Sequence, residues 1–164
     1  MTIDRADFLA TMSRIPSPVA VATTIGPSGP AGFTGSSFSS LSLDPPMALI
    51  CLDKSASTHA TFVSAQLFLI NVLAADQSDV ALRFAKSGVD RFAAGDMRPC
   101  ELGLPGLSDA AARLACELVN VVDGGDHSIL TGRVHSTYVS NRMPLVYWNR
   151  LFNQPTPVTE MAGT

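Results

Sequence analysis

Six hydroxyls fall within nine residues in the stretch TGSSFSSLS: Thr34, Ser36, Ser37, Ser39, Ser40 and Ser42. A hydroxyl both donates and accepts, and its proton turns toward whichever partner is present. Lined up beside backbone N–H groups, such a run suits a flat ring edged with heteroatoms, or a phosphate. Neither needs a formal positive charge at this stretch. Only Phe38 and Leu41 are apolar here, so the period of two that marks a core strand is not kept. A solvated serine-rich loop is the competing reading of the same residues. Asp44-Pro45-Pro46 then predicts an extended exit, because proline fixes φ and keeps the preceding residue out of the helical region.

Other chemistries find little support. GPSGPAG (26–32) spaces its glycines G-x-x-G-x-x-G, carries two prolines, and precedes a strand pattern. A dinucleotide or Walker loop needs a helix N-terminus or Gly-Lys-Ser/Thr at that point. His59, His127 and His135 lack metal-ligand spacing; the last two would stand roughly 26 Å apart on one strand. No G-x-S-x-G elbow occurs, and Cys51, Cys100 and Cys116 form neither a CxxC pair nor a disulfide framework. Cys51 and Cys116 lie in apolar runs and read as buried small hydrophobes.

The elements that must carry the hydroxyl run can be read in order. Residues 4–15 place Phe8, Leu9, Met12 and Ile15 on one helical face with Asp4 as N-cap, and Pro16 and Pro18 end that helix. VAVATTI from Val19 is β-branched and alternating, a strand; GPSGPAG reads as turn or loop throughout, returning through Phe33 as a hairpin. Met47–Leu52 and Leu67–Leu73 read as buried strands, with a polar segment and a short helix ending at Ser64 between them. Asp76–Ala85 reads as a helix with Asp76 as cap, Val80, Ala81 and Phe84 inward, and Gly88 as the stop. Residues 89–105 look irregular. Leu114–Val122 and Ser128–Val139 read as a hairpin turning at Asp123-Gly124-Gly125-Asp126, and Leu145–Trp148 is short and extended. Five or six short strands with a few helices predict a mainly β chain, a small antiparallel barrel with helical decorations.

The 164 residues amount to one domain, with a barrel core over about 18–152 and a loose tail over 154–164. Apolar residues make up 46% and charged residues 15%, which argues against disorder and predicts a surface covered by a partner subunit. A formal charge of −3 offers no basic field for nucleic acid. The apolar runs are too short to span a bilayer, and MTIDRADF has no signal-peptide pattern, so a soluble, reduced, cytoplasmic protein is expected.

Taken in order, PVAVATT, GFTGSSFSSLSLDPPMALICLDKSAST, FLINVLAADQSDVALRFA, DRF, GDHSILTGRV and PLVYWNRLF resemble one family across roughly Phe8–Phe152. The chain is similar to the flavin reductase-like family with the FMN-binding split β-barrel, antiparallel and of Greek-key type. The nearest pattern is that of the short reductases that supply reduced flavin to two-component monooxygenases. The resemblance implies an NAD(P)H:flavin oxidoreductase of the EC 1.5.1 type, using FMN (FAD possible) and taking hydride from NADH or NADPH. It implies that Thr34, Ser36, Ser37 and Ser42 lie along the isoalloxazine, with Cys51 among the flavin-facing residues. Asp53 to Thr58 match the loop holding the ribityl chain and phosphate, with Lys54, Ser57 and Thr58 as the phosphate contacts. Asn71 and Gln77 belong to the same signature, and Arg91 and Phe92 stand near the flavin. His127 would face the nicotinamide nucleotide as the catalytic-site histidine, with Gly132 leaving room for it and Tyr147 and Phe152 lining the site. A homodimer is implied, and no metal. The chemistry implied is hydride transfer from nicotinamide C4 to flavin N5, which asks the protein for stacking and for donors toward the developing charge. A non-catalytic flavin-storing split barrel is the alternative from another class, and His127 within GDH argues against it.

Overall fold

The structure, a computed structural model, describes residues 2–158. Helix α1 (Arg5–Met12) opens the chain, capped by Asp4, whose carboxylate accepts from the Ala6 amide at 2.6 Å. It ends three residues short of the predicted Ile15. Its apolar residues Phe8, Leu9 and Met12 are all exposed rather than packed on the core. A short β1 (Ser17–Pro18) leads to β2 (Ala20–Gly26) and β3 (Gly29–Gly35).

The expectation that GPSGPAG is loop throughout is corrected here. Gly26 pairs with Gly29 around a turn of only two residues, and Gly29–Gly32 continue as strand. Gly32 is glycine because a Cβ there would sit 2.7 Å from the Phe84 ring, which closes down on the strand. Small residues mark close approach here, not a loop. The hydroxyl run breaks at Ser36–Ser37 and resumes as an edge strand, β4 (Phe38–Leu43). Asp44-Pro45, joined by a cis peptide bond, is a tight turn into β5 (Pro46–Asp53), with Leu43 pairing Pro46. The predicted extended exit is therefore a hairpin.

Helix α2 (His59–Ser64) and β6 (Leu67–Val72) follow as the sequence pattern indicates. Helix α3 (Ser78–Ala85) buries Val80, Ala81 and Phe84. Asp76 does not cap it: that carboxylate pairs with Arg142, and the Gln77 side-chain oxygen Oε1 accepts from the Ala74 amide at 2.8 Å. The segment read as irregular contains a two-stranded ribbon, β7 (Met97–Pro99) against β8 (Pro105–Leu107), around a 3-10 turn at Glu101–Gly103. Two long strands, β9 (Ala112–Gly124) and β10 (His127–Val139), form a hairpin, and β11 (Val146–Trp148) and β12 (Leu151–Asn153) pair beside β1. Residues 154–158 carry no regular structure; the rest of the expected tail lies outside the described residues.

The main sheet has seven antiparallel strands in the order β3-β2-β6-β9-β10-β5-β4. The chain crosses from β5 to β6 on the far side of the order, which is the crossing connection expected of a Greek-key barrel. The sheet curls until Gly35 at the end of β3 reaches Ile50 on β5, but β3 and β4 remain its two edges. Inside the curl lie Ala22, Ile50, Phe62, Phe68, Ile70, Cys116 and Leu130. On the other face Val19, Val21, Leu73 and Leu145 pack under α3 with Phe84. Strand β2 is thus buried on both faces, and its Thr24 hydroxyl compensates by donating to the Leu67 carbonyl at 2.6 Å. Phe84 is 0% exposed, and truncation to alanine there would cost about 3–5 kcal/mol.

Candidate functional site

The split between the two edge strands is bridged by Ser36 and Ser37, and a cavity of about 350 Å³ opens beside them. Its floor is the end of β5, Cys51 to Asp53; its walls are Thr34–Ser37, the end of α3, Arg91 and His127. The Cys51 amide donates to the Ser37 carbonyl at 3.0 Å, which fixes the serine link over the strand. Ser36 and Ser37 are exposed, and their hydroxyls have no protein partner among the described residues, so they are free to meet a ligand.

Arg91 sits where this cavity joins a second one of about 250 Å³, lined also by Gly32, Ser57, Thr58, Asp90 and Phe92. Its guanidinium donates to the Gly32 carbonyl at 2.8 Å and to the Lys86 carbonyl at 2.9 and 2.7 Å. No carboxylate among the described residues pairs with it, and burial pulls its pKa below the ordinary arginine value. A partly desolvated cation without a counter-ion suits an anion. The Thr58 hydroxyl, at the same place, is buried and has no hydrogen-bond partner.

The Asp53 carboxylate accepts from the Ser55 hydroxyl and amide, both at 2.7 Å, and these bonds hold its pKa below the usual range. Asp53 therefore stays ionised and fixes the loop into α2. Burial pushes the Cys51 thiol up, so it remains a neutral thiol rather than a nucleophile. His127 begins β10 opposite Asp53, and its Nδ1 lies 2.7 Å from the Asp126 carboxylate.

The cleft thus gathers Thr34, Ser36, Ser37, Cys51, Asp53, Ser57, Thr58, Arg91, Phe92 and His127 from distant parts of the chain. Thr34 takes part through its backbone, because its hydroxyl donates to the Ala81 carbonyl at 2.6 Å and ties α3 to β3. Phe92 stands edge-on to Phe84 at 5.2 Å and closes the wall. Four expected site residues lie elsewhere. Ser42 pairs with Met47 near the far end of β4. Lys54 turns away to Asp123 and the Gly125 carbonyl, bracing the β9–β10 hairpin. Gly132 is walled in, since a Cβ there would lie 2.7 Å from Phe68 and from Cys116. Tyr147 pairs with Ser17 and packs against Phe152 in the small sheet. Sequence reasoning missed Ser87, which lines the cleft, and did not single out Ser55 within the Asp53–Thr58 loop; Ser55 carries the Asx-turn pattern Asp-x-Ser that could have marked it. His59 bonds the Ser128 hydroxyl at 2.9 Å, and His135 the Glu117 carboxylate at 2.9 Å.

Among the described residues, no group of three or more metal-ligating side chains converges, and no helix is long and apolar enough to cross a membrane.

The model of the flavin reductase-like domain matches residues 12–156. The chain is 38% identical to an actinorhodin polyketide dimerase from Streptomyces coelicolor over 93% of its own length and 87% of that protein's. It is 36% identical to an NADH:riboflavin 5'-phosphate oxidoreductase from Streptomyces pristinaespiralis, over 93% and 89%. With the reductase subunit of a flavin-dependent monooxygenase from Mycobacterium tuberculosis it shares 37% identity, over 82% and 72%. Two relatives from Rhizobium meliloti are longer, and the chain spans only 52% and 34% of them. An NADH:FAD oxidoreductase from Streptomyces globisporus, solved with NAD and FAD fragments, superposes with a TM-score of 0.89 at 33% identity, covering 96% of each chain. With the cleft sitting in the split of its sheet, the chain belongs to the flavin reductase-like family.

Proposed function

We infer that the protein is an NADH-dependent flavin reductase that passes reduced flavin to a partner monooxygenase. The observation that carries this reading is the polar cleft itself. Free serine hydroxyls stand at one end, and an arginine without a carboxylate partner stands at the other, beside an orphaned Thr58 hydroxyl. These groups fit a flavin nucleotide. Ser36 and Ser37 would meet the heteroatom edge of the ring, and Arg91, Ser57 and Thr58 would hold the phosphate.

Bound there, flavin supplies the electron-accepting ring, which takes hydride from NADH. The chain's own work is to hold and orient. The β5 floor and the Phe33 and Phe84 walls would confine the ring, and the Gly35–Ser37 stretch lies where donors toward the collecting negative charge are needed. His127 lines the cleft beside Asp126 and would contact the nicotinamide nucleotide. The neutral Cys51 thiol, with no buried acid–base pair among the described residues lining the cleft, agrees with a reaction that needs no side-chain general base.

The finer assignment is an NAD(P)H:flavin oxidoreductase of the EC 1.5.1 type, acting as one domain in a reduced cytoplasm. A homodimer is part of the same reading. The exposed apolar residues of α1, with Val119, Val121, Val122 and Val139 on the long hairpin, are surface that a second subunit would cover.

Anaerobic mixing with FMN and NADH tests the function. The yellow absorbance bleaches within seconds for a reductase, and the same assay with NADPH ranks the donors. Persistent colour would favour flavin storage, and failure of the reduced flavin to sustain an added flavin-dependent monooxygenase would remove the carrier role. Sedimentation at micromolar concentration tests the dimer.

A further inference from the structure

The loop between β5 and α2 is clipped to the β9–β10 hairpin at two places. At its start, the Lys54 amide donates to the Asp126 carbonyl at 3.0 Å, and the Lys54 ammonium donates to Asp123 and to the Gly125 carbonyl. Five residues on, the His59 ring nitrogen Nε2 lies 2.9 Å from the Ser128 hydroxyl. Between the clips stand Ser55 and Ala56, which line the first cavity, and Ser57 and Thr58, which line the second. Thr61, early in α2, lines the second cavity as well. His59 is the odd member of this stretch: it opens α2, lines neither cavity, and crosses to β10 instead.

The two clips differ in strength. The Lys54 and Asp123 side chains are 41% and 80% exposed, and water screens such a pair. Ser128 is 5% exposed, and among the described residues its hydroxyl has no other hydrogen-bond partner than His59. Leaving a buried hydroxyl unpaired is costly, so this is the bond that holds the helix to the strand. The start of α2 gets no help from its own cap. The Thr58 hydroxyl caps no amide and is itself an orphan, so Thr58 is fixed through its backbone, whose carbonyl accepts from the Phe62 amide at 3.1 Å, and through its histidine neighbour. Ser128 for its part follows His127 and pairs with Leu52 on the cleft floor. A single buried side-chain bond thus joins the Ser57–Thr58 end of the cleft to the strand that forms its floor and far wall.

We propose that His59 is a positioning residue of the flavin site: through Ser128 it holds the start of α2 so that Ser57 and Thr58 face the flavin phosphate. The proposal rests on the flavin reading of the cleft and adds a residue that touches neither cavity. Because His59 acts only through the phosphate end, FMN feels it. Riboflavin, with the same ring and ribityl chain but no phosphate, does not.

Fluorescence titration of the full chain with FMN and with riboflavin tests it, using wild type, His59→Ala, His59→Gln, Ser128→Ala and the double alanine variant. His59→Ala should weaken FMN about fivefold and riboflavin by less than about twofold. Glutamine can place its amide nitrogen where Nε2 stands, so His59→Gln should bring FMN back to within about twofold of wild type. Ser128→Ala should reproduce the His59→Ala loss, and the double variant should lose no more than either single one. Turnover at saturating FMN and NADH should stay within about twofold throughout. An unchanged FMN-to-riboflavin ratio, failure of glutamine to rescue, or losses that add in the double variant would overturn the proposal. A fall in kcat with FMN affinity untouched would also overturn it, by moving the effect to His127. Should His59→Ala not fold, Ser128→Ala decides: a loss confined to FMN upholds the proposal, and a parallel loss for both flavins ends it. Flavin binding indifferent to His59 and Ser128 defeats the positioning role alone, whereas no binding of either flavin to wild type defeats the reductase reading with it.

Discussion

The Cys51 amide donates to the Ser37 carbonyl at 3.0 Å, so a serine from the link between the two sheet edges is pinned to the strand beneath it. The backbone of Ser37 is thereby committed while its hydroxyl is not. Position and chemistry are separated at one residue, and the hydroxyl is left available to a ligand.

Replacing Ser36 or Ser37 with alanine should therefore weaken flavin without loosening the fold. A hydroxyl bond of about 0.5–1.5 kcal/mol corresponds to a loss of roughly 2- to 10-fold in affinity per site. Thr34→Val should behave in the opposite way. Its hydroxyl holds the Ala81 carbonyl, so melting temperature falls by several degrees while affinity changes less. Paired titrations and melts on the three variants separate the two outcomes.

Arg91 can be tested with two ligands that differ only in a phosphate. Arg91→Ala should weaken FMN about tenfold or more and leave riboflavin nearly unchanged. Equal losses for both would mean that the guanidinium matters only through the Gly32 and Lys86 carbonyls it clasps. Arg91→Lys should restore little, because an ammonium cannot reproduce the planar fork.

Gly132→Ala should destabilise the protein by about 1–3 kcal/mol, as the new methyl would crowd Phe68 and Cys116 in the core. The KM for NADH should stay unchanged. A raised KM with an unaltered denaturant midpoint would restore this glycine to the nicotinamide site.

Acid should weaken the fold through Glu101. Arg113 donates to it at 2.8 and 2.9 Å and holds its carboxyl below the ordinary 4.5. Below about pH 4.5 the unfolded chain takes up the proton first, so stability present at neutral pH is lost as pH falls toward the depressed folded value. The urea midpoint should be flat near neutrality and drop through that window. Glu101→Gln should cost about 1–3 kcal/mol at neutral pH and make the acid slope shallower.

Much of the architecture could be read from residue pattern, because burial wrote it in alternation. The strands at Met47–Leu52 and Leu67–Val72 and the inward stripe of α3 appear where hydrophobic periodicity puts them. The misreadings share a cause: the decisive fact was a partner distant in sequence. GPSGPAG looked like loop because nothing local reveals that Phe84 requires the bare backbone of Gly32. Lys54 reads as a phosphate ligand in sequence, where nothing local shows that its ammonium meets Asp123, 69 positions away. The β7–β8 ribbon is three residues a side, too short for any alternation to register. The serine run was legible as chemistry, but its division at Ser36–Ser37 depended on where the sheet ends.

A sheet that curls without closing leaves two raw margins. On β4, Leu41 and Leu43 stand 49% and 91% exposed beside unpaired main-chain groups, which is the surface on which a stray strand from another molecule can dock. A flavin bound beside Ser36–Ser37 would tie down the start of β4, next to this margin. Preparations stripped of it are the ones expected to cloud on standing or heating, and an excess of free flavin in the storage buffer is the remedy.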